Sequence, residues 1–335
     1  MSKRKLSRKQ EWRAQKIQAE RIKRAEKKLQ KLSGDDTQTA GKTHNGIVVA
    51  SFGTQYIVED EHNNRYNSLA RQNLGSIVVG DHVVFETFPQ GDAVITAILE
   101  RKSLLERPNF HGNTKPVAAN IDQILIMSSI VPSLQTALID RYLVAIELAN
   151  IDPVIVINKT DLLTADELKA LQESLSYYSD IGYTVVYVAT RSRKGLSTIE
   201  HILRNKVSIL VGQSGVGKSS TIKALLPDID IQIGEISKIS KLGKHTTSAS
   251  QWYNLATDGA IIDSPGVRDF GLWHLEKEKV AYGFKEFRPF LGRCKFSNCS
   301  HTNEPECAII AAVEENKIPK QRWENYVKIY QSLKD

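Results

Sequence analysis

Short apolar segments alternate with turn residues through residues 46–98. The segments are residues 47–49, 56–58, 77–79, 83–85 and 93–98. Each has the length of a short strand, and none of the stretches between them has the residue spacing of a helix. We therefore predict a small β-barrel of four or five strands. Periodicity alone allows any small barrel, and an OB-fold that binds RNA is one candidate.

Beyond Pro108 the pattern changes to buried strands that alternate with helical segments. Strands are predicted at residues 123–131, 154–157, 184–188, 207–211 and 260–262, and helices at residues 138–149, 164–176, 196–203 and 220–226. The second of these helices opens with a capping signal, Thr164 followed three residues later by Glu167. This alternation predicts a multidomain α/β protein whose second part is a parallel sheet covered by helices on both faces.

A glycine-rich segment lies between a predicted strand and a predicted helix. It reads Gly212, Gln213, Ser214, Gly215, Val216, Gly217, Lys218 and Ser219, which is the pattern of a phosphate-binding loop. Its glycines allow backbone amides to surround phosphates, Lys218 is expected to act on the outer phosphates, and Ser219 is expected to bind magnesium. Ser220 follows directly and joins the predicted nucleotide contacts. The alternative is a glycine-rich turn with a surface lysine.

A second motif follows the strand predicted at residues 154–157. Its residues are Asn158, Lys159, Thr160 and Asp161, and they resemble the base-reading motif of GTPases. The Asp161 carboxylate would accept hydrogen bonds from the ring N–H and the exocyclic amine of guanine. Adenine offers an acceptor in place of the ring donor, so it would leave a buried carboxylate unpaired. The motif therefore predicts guanine selectivity, and a polar turn between strand and helix is the alternative.

A third motif begins where the last predicted strand ends. Asp263 is expected to hold magnesium through water, and the amide of Gly266 is expected to face the γ-phosphate. Upstream, residues 243–247 read Gly-Lys-His-Thr-Thr. Either Thr246 or Thr247 is expected to complete the magnesium coordination, and the sequence does not decide between them.

The order of these motifs is unusual, because the base-reading motif at residues 158–161 precedes the phosphate loop at residues 212–219. In Ras-like GTPases the base-reading motif follows the phosphate loop. Loops at the carboxyl ends of one parallel sheet remain together when a chain is cut and rejoined elsewhere. We therefore predict a circularly permuted GTPase domain at residues 108–275.

All three cysteines lie close to one histidine in the C-terminal part of the chain. The four residues are Cys294, Cys299, His301 and Cys307. Three thiolates and one imidazole complete a tetrahedral zinc site, and a closed set of four ligands predicts a structural metal. Free surface thiols are the alternative. Because this segment is short and rich in turn residues, we expect the metal to supply the folding stability that a small core cannot. We place it within a zinc-binding domain at residues 276–335.

Positive charge is concentrated at the N-terminus. Residues 1–32 hold thirteen Lys or Arg and three Asp or Glu, so they carry +10, and residues 33–335 carry −3 because the whole chain carries +7. We predict an arm that orders on nucleic-acid phosphates, with residues 33–44 as a linker. A solubilising tail is the alternative. The chain has no apolar run of membrane-spanning length and no signal peptide, so we expect a cytoplasmic protein with no membrane partner. We also expect a monomer.

Several of these features together resemble the bacterial ribosome-small-subunit-dependent GTPase A family. They are the permuted order, the Gly-Lys-His-Thr-Thr segment, residues 263–272 and the Cys-His spacing, and the resemblance covers about residue 45 to the end. It implies an OB-fold at residues 45–100, a permuted GTPase domain and a zinc-binding helical domain, which cooperate on the small ribosomal subunit and its rRNA during late maturation. This sequence departs from the family at one point: the Ser-Ala pair that usually backs the guanine base appears here as Ala189 and Thr190. The Thr190 amide is still expected to face the guanine oxygen.

These features predict a GTP hydrolase that binds the immature small subunit and leaves after hydrolysis. The alternative hypothesis is an RNA-binding assembly clamp, for which bound GTP only signals that the nucleotide site is occupied and hydrolysis is incidental. The residue after Gly266 is Val267, which has no group to orient the attacking water as the glutamine of Ras-like enzymes does. His245 is the predicted substitute, in a site that the small subunit stimulates. Alternatively, His245 helps this segment to contact RNA or protein.

Overall fold

The structure is a computed structural model that describes residues 42–72, 74–88, 92–108, 114–229, 250–264 and 275–333. These residues divide into two compact units. Within the described ranges, the first unit holds residues 42–104, 116–120, 228–229 and 250–253, and the second holds residues 105–115, 121–227, 254–264 and 275–333. The predicted basic arm at residues 1–32 lies outside the described residues.

A closed five-stranded barrel forms most of the first unit. Its strands are β1 (Lys42–Phe52), β2 (Gln55–Asp60), β3 (Arg65–Ala70), β4 (His82–Thr87) and β5 (Asp92–Ile98). They are arranged in the order β1-β2-β3-β5-β4, and β4 pairs again with β1 to close the barrel. Strands β3 and β5 are parallel, and the other neighbours in the barrel are antiparallel. This is the Greek-key arrangement of an OB-fold.

The interior of the barrel is filled by apolar side chains that the alternation of each strand directs inward. The buried set is Val48, Tyr56, Val58, Leu74, Ile77, Val83, Phe85, Ala93, Ile95 and Ile98. Strand β1 is long enough to pair with β4 along residues 42–47 and then, at Ala50 and Ser51, with β12 (Ser250–Asn254). A strand from much later in the sequence therefore extends the sheet of the first unit.

One predicted strand of the barrel, at residues 77–79, is wrong. Residues 77 and 78 are in no strand, and Val79 makes only an isolated bridge to Ala118. The carboxylate of Asp81 accepts a hydrogen bond from the Val78 amide at 2.8 Å, so this amide is not available for strand pairing. Arg101 donates to the same carboxylate at 2.6 and 2.8 Å, which pairs its buried charge. The missing strand is instead β3, and its sequence Arg-Tyr-Asn-Ser-Leu-Ala lacks a clear apolar alternation.

A five-stranded parallel sheet forms the centre of the second unit. Its order is β10 (Thr184–Tyr187), β9 (Asp152–Asn158), β8 (Gln123–Ser129), β11 (Val207–Val211) and β13 (Ala260–Asp263). Each neighbouring pair is parallel. The interiors of these strands are nearly continuous apolar runs, as expected for a sheet that is buried on both faces. Strands β6 (Leu104–Pro108) and β7 (Thr114–Ala119) precede this sheet in the chain.

Helices connect the strands of the parallel sheet. They are α1 (Thr136–Leu148), α2 (Ala165–Ser174), α3 (Ser176–Asp180), α4 (Leu196–Leu203) and α5 (Lys218–Leu225), with 3-10 turns at Thr160–Leu162 and Thr190–Ser192. The predicted cap of α2 is confirmed. The Thr164 hydroxyl accepts a bond from the Glu167 amide at 3.3 Å, and the Glu167 carboxylate accepts one from the Thr164 amide at 2.8 Å.

The C-terminal part of the second unit is helical. It contains α6 (Val280–Gly283), α7 (Ala308–Glu314) and α8 (Lys320–Ser332), with 3-10 turns at Lys277–Lys279 and Lys285–Phe290. Its buried core comprises Phe284, Phe287, Cys307, Ile309, Ile318, Tyr326 and Ile329, together with Val144 of α1. A Cβ at Gly283 would lie 2.6 Å from Val144 Cγ1, so only glycine permits this close approach of α6 to α1. None of the described helices is both long enough and apolar enough to span a bilayer.

A buried ionic cluster also joins α8 to α1. Arg322 donates from Nη1 to Asp140 at 2.5 Å and from Nε to Glu286 at 2.6 Å, and the side chains of Arg322 and Asp140 are fully buried. Asn325 and Tyr178 also donate to Asp140, each at 2.6 Å. Burial acts to lower the pKa of Arg322, but the carboxylates of Asp140 and Glu286 outweigh it and hold the pKa well above its usual value.

Candidate nucleotide site and metal site

The predicted nucleotide motifs meet at one edge of the parallel sheet. Strand β9 ends at Asn158, β11 ends at Val211 just before the phosphate loop, and β13 ends at Asp263. The strands are parallel, so these three carboxyl ends lie on the same edge, with the end of β10 and the turn containing Thr190 beside them. Ligands of open α/β sheets bind at this edge.

A cleft of about 520 Å³ opens at this edge, a volume suited to a small ligand. It is lined by Lys159, Leu210, Gly212, Ser214, Gly215, Gly217, Lys218, Ser219, Ser220, Ile222 and Asp263. The base-reading motif, the phosphate loop and the third motif each contribute to this lining. The structure thus brings together residues that lie more than one hundred positions apart in the sequence, from Lys159 to Asp263.

The phosphate loop requires glycine at two positions for packing as well as for conformation. Gly212 has φ +138°, and a Cβ there would lie 2.1 Å from the Met127 carbonyl oxygen. Gly217 has φ +103°, and a Cβ there would lie 2.2 Å from Asn158 Nδ2. Both positions combine a backbone conformation that favours glycine with a contact that excludes any side chain.

Two lysines hold the phosphate loop through its carbonyl groups. Lys218 opens α5, and its Nζ donates to the carbonyls of Gly212 at 2.5 Å and Gln213 at 2.6 Å. Lys159 has a left-handed backbone with φ +63°, and its Nζ donates to the carbonyls of Gly215, at 2.6 Å, and Val131. The aliphatic stem of Lys159 therefore extends from the base-reading motif to the phosphate loop.

Asn158 is buried and ties the same two motifs together. Its Nδ2 donates to the Val216 carbonyl at 2.9 Å, and its Oδ1 accepts bonds from the Thr190 amide at 3.1 Å and the Thr190 hydroxyl at 2.9 Å. The Thr190 amide, which the sequence predicts to face the guanine oxygen, donates to Asn158 in this structure. A hydroxyl is therefore present at Thr190, the residue after Ala189, where the resemblance places the serine of the family.

Thr160 is anchored in the interior, whereas the side chain of Asp161 is exposed. Thr160 is buried, and its amide and hydroxyl donate to the Val188 carbonyl at 3.1 and 3.0 Å. Asp161 follows in the same 3-10 turn with an exposed side chain. The turn is thus fixed to the end of β10, while the carboxylate remains accessible to a ligand.

Oxygen atoms suited to magnesium lie on the cleft wall. Asp263 is half-buried at the end of β13, and Ser219 is exposed at the start of α5, and both line the cleft. A carboxylate and a hydroxyl are hard oxygen donors of the kind that magnesium prefers. His245, Thr246, Thr247 and Gly266 lie outside the described residues.

The predicted metal ligands form one cluster. Their ligand atoms all lie within 4.8 Å of one another. The Sγ atoms of Cys294 and Cys307 are 3.9 Å apart, and each is 3.4 Å from His301 Nδ1. Tetrahedral zinc with ordinary bond lengths requires S–S separations of about 3.8 Å and S–N separations of about 3.6 Å. The donor set Cys294, Cys299, His301 and Cys307 therefore fits a tetrahedral metal ion.

The surroundings of the cluster hold the main chain at His301 in place and favour the protonated thiol of Cys299 and of Cys307. Burial raises the pKa of Cys307 and raises the pKa of Cys299 to about 12, and it lowers the pKa of His301. The indole of Trp323 donates to the His301 carbonyl at 2.9 Å, and the Tyr326 hydroxyl donates to the Ser300 carbonyl at 2.6 Å. Metal binding must therefore displace thiol protons, as it does at zinc sites generally.

The sequence did not identify two neighbours of the site. Thr221, on α5, places its hydroxyl oxygen 3.0 Å from that of Thr190. Val131, after β8, supplies the carbonyl that accepts the Lys159 bond. Neither residue belongs to a recognisable motif, so only their position in the fold connects them to the nucleotide motifs.

Comparison with known proteins agrees with this geometry. A family model described as RsgA GTPase matches residues 98–273. A relative from Serratia proteamaculans (strain 568), named small ribosomal subunit biogenesis GTPase RsgA, is 44% identical over 99% of this chain and 96% of its own length. A relative of the same name from Klebsiella pneumoniae (strain 342) is also 44% identical, with the same coverage.

Two crystal structures have the same fold along most of the chain. YjeQ from Thermotoga maritima is 34% identical with a TM-score of 0.71, over 87% of this chain and 99% of that one. YloQ, described as a circularly permuted GTPase, is 26% identical with a TM-score of 0.70, over 89% of this chain and 98% of that one. These likenesses confirm the predicted fold class and permutation. The chain therefore belongs to the RsgA GTPase family and is a GTP hydrolase.

Proposed function

We propose that this GTPase acts in late maturation of the small ribosomal subunit, binding the immature particle and leaving after GTP hydrolysis. The observation that carries the proposal is similarity along nearly the whole chain to relatives named small ribosomal subunit biogenesis GTPase. This similarity extends beyond the nucleotide site to the parts that would contact the particle. Such a role would place the protein in the cytoplasm with the ribosomal subunits.

The cleft binds GTP in this proposal, with each motif on a different part of the nucleotide. Amides of residues 212–220 surround the phosphates, and Lys218 neutralises charge on the outer phosphates. Asp161 accepts the ring N–H and the amine of guanine, while the Lys159 stem lies along the base. The assignment is supported by Lys159, Lys218 and most of the phosphate loop, which line one cleft, and by the exposed side chain of Asp161 two residues after Lys159.

The guanine oxygen has a revised donor in this proposal. Because the Thr190 amide and hydroxyl both bond to Asn158 Oδ1, we assign the oxygen contact to the amide of Arg191, the next residue in the turn. A contact through backbone depends on where the turn lies rather than on the side chain of Arg191. Thr190 then has the role of holding the turn against Asn158.

Ser219 and Asp263 would hold magnesium, Asp263 through water, with Thr246 or Thr247 completing the set. A magnesium ion in this position neutralises charge that develops on the phosphates during hydrolysis. The amide of Gly266 would then contact the γ-phosphate, and His245 would position the attacking water, since Val267 cannot.

The proposed RNA contacts come from three regions. The arm contributes its charge of +10, and the barrel contributes the OB-fold. The metal-binding segment exposes Arg293, Lys295 and Phe296, a combination of basic and aromatic groups that suits single-stranded RNA. We assign zinc to the Cys294, Cys299, His301 and Cys307 set, as a structural ion that shapes this segment.

Co-sedimentation with purified small subunits tests the proposal. The full chain should sediment with small subunits in a non-hydrolysable GTP analogue and dissociate in GDP, and large subunits should not retain it. Maturing particles should stay blocked when the analogue replaces GTP. Normal maturation in the analogue would favour the assembly clamp instead, and equal retention by both subunits would contradict the proposal.

A further inference from the structure

Thr221 belongs to none of the nucleotide motifs, but it lies in a buried chain of hydrogen bonds that leads to one of them. It is on α5, three residues after Lys218, and its side chain is fully buried. Its Oγ1 lies 3.0 Å from Thr190 Oγ1, and Thr190 Oγ1 lies 2.9 Å from Asn158 Oδ1. Asn158 and Thr190 are 2% and 7% exposed, so water does not compete for these bonds.

The direction of each bond in the chain can be assigned. Asn158 Nδ2 donates to the Val216 carbonyl, which makes Oδ1 the acceptor end of the amide. Thr190 therefore donates its only hydroxyl proton to Oδ1, and its oxygen is left to accept from Thr221. Thr221 is thus the first donor of a chain that ends at the base-reading motif.

We propose that Thr221 is a positioning residue for guanine recognition, holding the turn at Thr190–Ser192 so that the Arg191 amide meets the guanine oxygen. This inference rests on the proposed function of the cleft. Thr221 itself would touch neither base nor phosphate. It acts through Thr190, whose backbone leads directly into the amide concerned.

The geometry explains why a hydroxyl is needed at this position. Two hydroxyl oxygens joined by a hydrogen bond approach to 3.0 Å, whereas a methyl group and an oxygen need a longer separation. A methyl in place of the Thr221 hydroxyl would therefore push the turn outward by about half an ångström. Polar recognition is sensitive to displacements of this size.

Three substitutions separate the hydroxyl from the rest of the side chain. Thr221→Val keeps the shape and removes the hydroxyl, Thr221→Ala removes the hydroxyl without adding bulk, and Thr221→Ser keeps the hydroxyl. Each full-length protein is titrated with GDP and with 2-aminopurine riboside 5′-diphosphate, which lacks the guanine oxygen and the N1 hydrogen. Thermal unfolding confirms that each variant is folded, and Thr221→Ala carries the test if Thr221→Val does not fold.

We expect Thr221→Val and Thr221→Ala to weaken GDP binding by about threefold to tenfold, which corresponds to the loss of one neutral hydrogen bond. Binding of the 2-aminopurine nucleotide should stay unchanged, so the preference for GDP shrinks by the same factor. Thr221→Ser should keep the parental preference within about twofold. A purely structural role in α5 would weaken both nucleotides equally and leave the preference intact.

The outcomes that overturn the inference are distinct from those that overturn the proposed function. A parent protein that binds both nucleotides equally would remove the guanine site, and this inference with it. A parent that prefers GDP, with Thr221→Val and Thr221→Ala keeping that preference, would remove only the role of Thr221. Loss of preference in Thr221→Ser would also contradict a role for the hydroxyl.

Discussion

At the scale of single residues, the nucleotide site depends on contacts between motifs that are far apart in sequence. Asn158 is the clearest case, because it bonds to Val216 in the phosphate loop and to Thr190 after β10. It also approaches Gly217 so closely that a Cβ there would lie 2.2 Å from its Nδ2. The glycine of one motif therefore leaves room for the asparagine of another.

Asp161→Asn should exchange the base preference of the site. In the proposed site the carboxylate would accept hydrogen bonds from two donors of guanine, and an amide in its place would offer a donor that matches the additional carbonyl of xanthine. We expect GDP to bind at least about 100-fold more weakly and xanthosine diphosphate to bind better than it does to the parent. Competition titration against a fluorescent nucleotide measures both constants.

Asp152→Asn is the matched control for this substitution. Asp152 is exposed at the amino end of β9, whereas the base-reading motif follows its carboxyl end. The same chemical change there should leave both nucleotides unaffected. Unchanged selectivity in Asp161→Asn, or comparable binding of ATP by the parent, would contradict a guanine site built on Asp161.

The motifs of the site could be predicted from the sequence, but the residue of the turn after β10 that faces the ligand could not. The phosphate loop and the base-reading motif are recognisable because their chemistry requires particular residue types at fixed spacing. The turn after β10 has no such requirement, since the contact with guanine that we propose for it would be made by backbone. The bonds from Thr190 to Asn158 are the observation on which we assign the guanine contact to Arg191 instead of Thr190.

At the scale of elements, strands with strong apolar patterns were predicted well and polar ones were not. The predicted limits of β11 and α4 agree with the structure, because each is a compact apolar element bounded by polar residues. Strand β3 lies outside the predicted strands because few of its residues are apolar, and residues 77–79 are apolar without forming a full strand because the Asp81 carboxylate binds the Val78 amide. Pairing partners and buried charges, which decide these cases, are not visible in local sequence.

The C-terminal helices also have more core than the sequence suggested. They pack on α1 through Phe284, Phe287, Tyr326 and Ile329, and the buried Arg322 cluster adds ionic contacts between α8 and α1. The expectation that a metal replaces a missing core therefore applies to the segment around residues 294–307 rather than to α8.

Arg322→Met should destabilise the docking of α8 on α1. Removing the guanidinium leaves the carboxylates of Asp140 and Glu286 buried without their cation, which typically costs about 3–5 kcal/mol. Native-state hydrogen exchange of α8 amides measures the free energy of opening for this helix. Lys320→Met, on the same helix, removes an exposed ion pair with Glu324 and should change that free energy by less than about 1 kcal/mol. Equal effects of the two substitutions would contradict a stabilising ionic cluster.

The metal site predicts one zinc ion per chain in freshly purified protein, measured by elemental analysis. Cys299→Ala should abolish zinc retention, because three ligands do not close a tetrahedral structural site. Exchange protection should fall at residues 294–307 and persist in α8, which has its own core against α1. Ser297→Ala, an exposed position between two ligands, is the control that should retain zinc. Absence of zinc from the parent would remove the assignment.

At the scale of the whole molecule, the two main features are the circular permutation of the GTPase domain and the uneven distribution of charge along the chain. The parallel sheet keeps the nucleotide loops on one edge despite the changed chain order, so the site is independent of where the chain begins. Composition alone showed that basicity belongs to residues 1–32, while the rest of the chain is slightly acidic. Partners, by contrast, were suggested by resemblance, because no local motif specifies a ribosomal surface.

Deleting residues 1–32 should weaken binding to small subunits and reduce its dependence on salt. Each contact between a lysine or arginine and a phosphate releases counterions, so removing thirteen basic residues should flatten the plot of log affinity against log salt. Hydrolysis of GTP without subunits should remain nearly unchanged. Filter binding at several salt concentrations gives the slope, and an unchanged slope would favour a solubilising tail.

The most direct test of the account is the rate of GTP hydrolysis by the full chain, alone and with purified small subunits, with large subunits as the comparison. Val267 leaves the isolated site without the usual water-orienting glutamine, so hydrolysis by the protein alone should be slow. Small subunits should raise the rate by about tenfold to a thousandfold, and large subunits should leave it unchanged. An unchanged rate with small subunits, or equal stimulation by both, would contradict a GTPase that acts on the small ribosomal subunit.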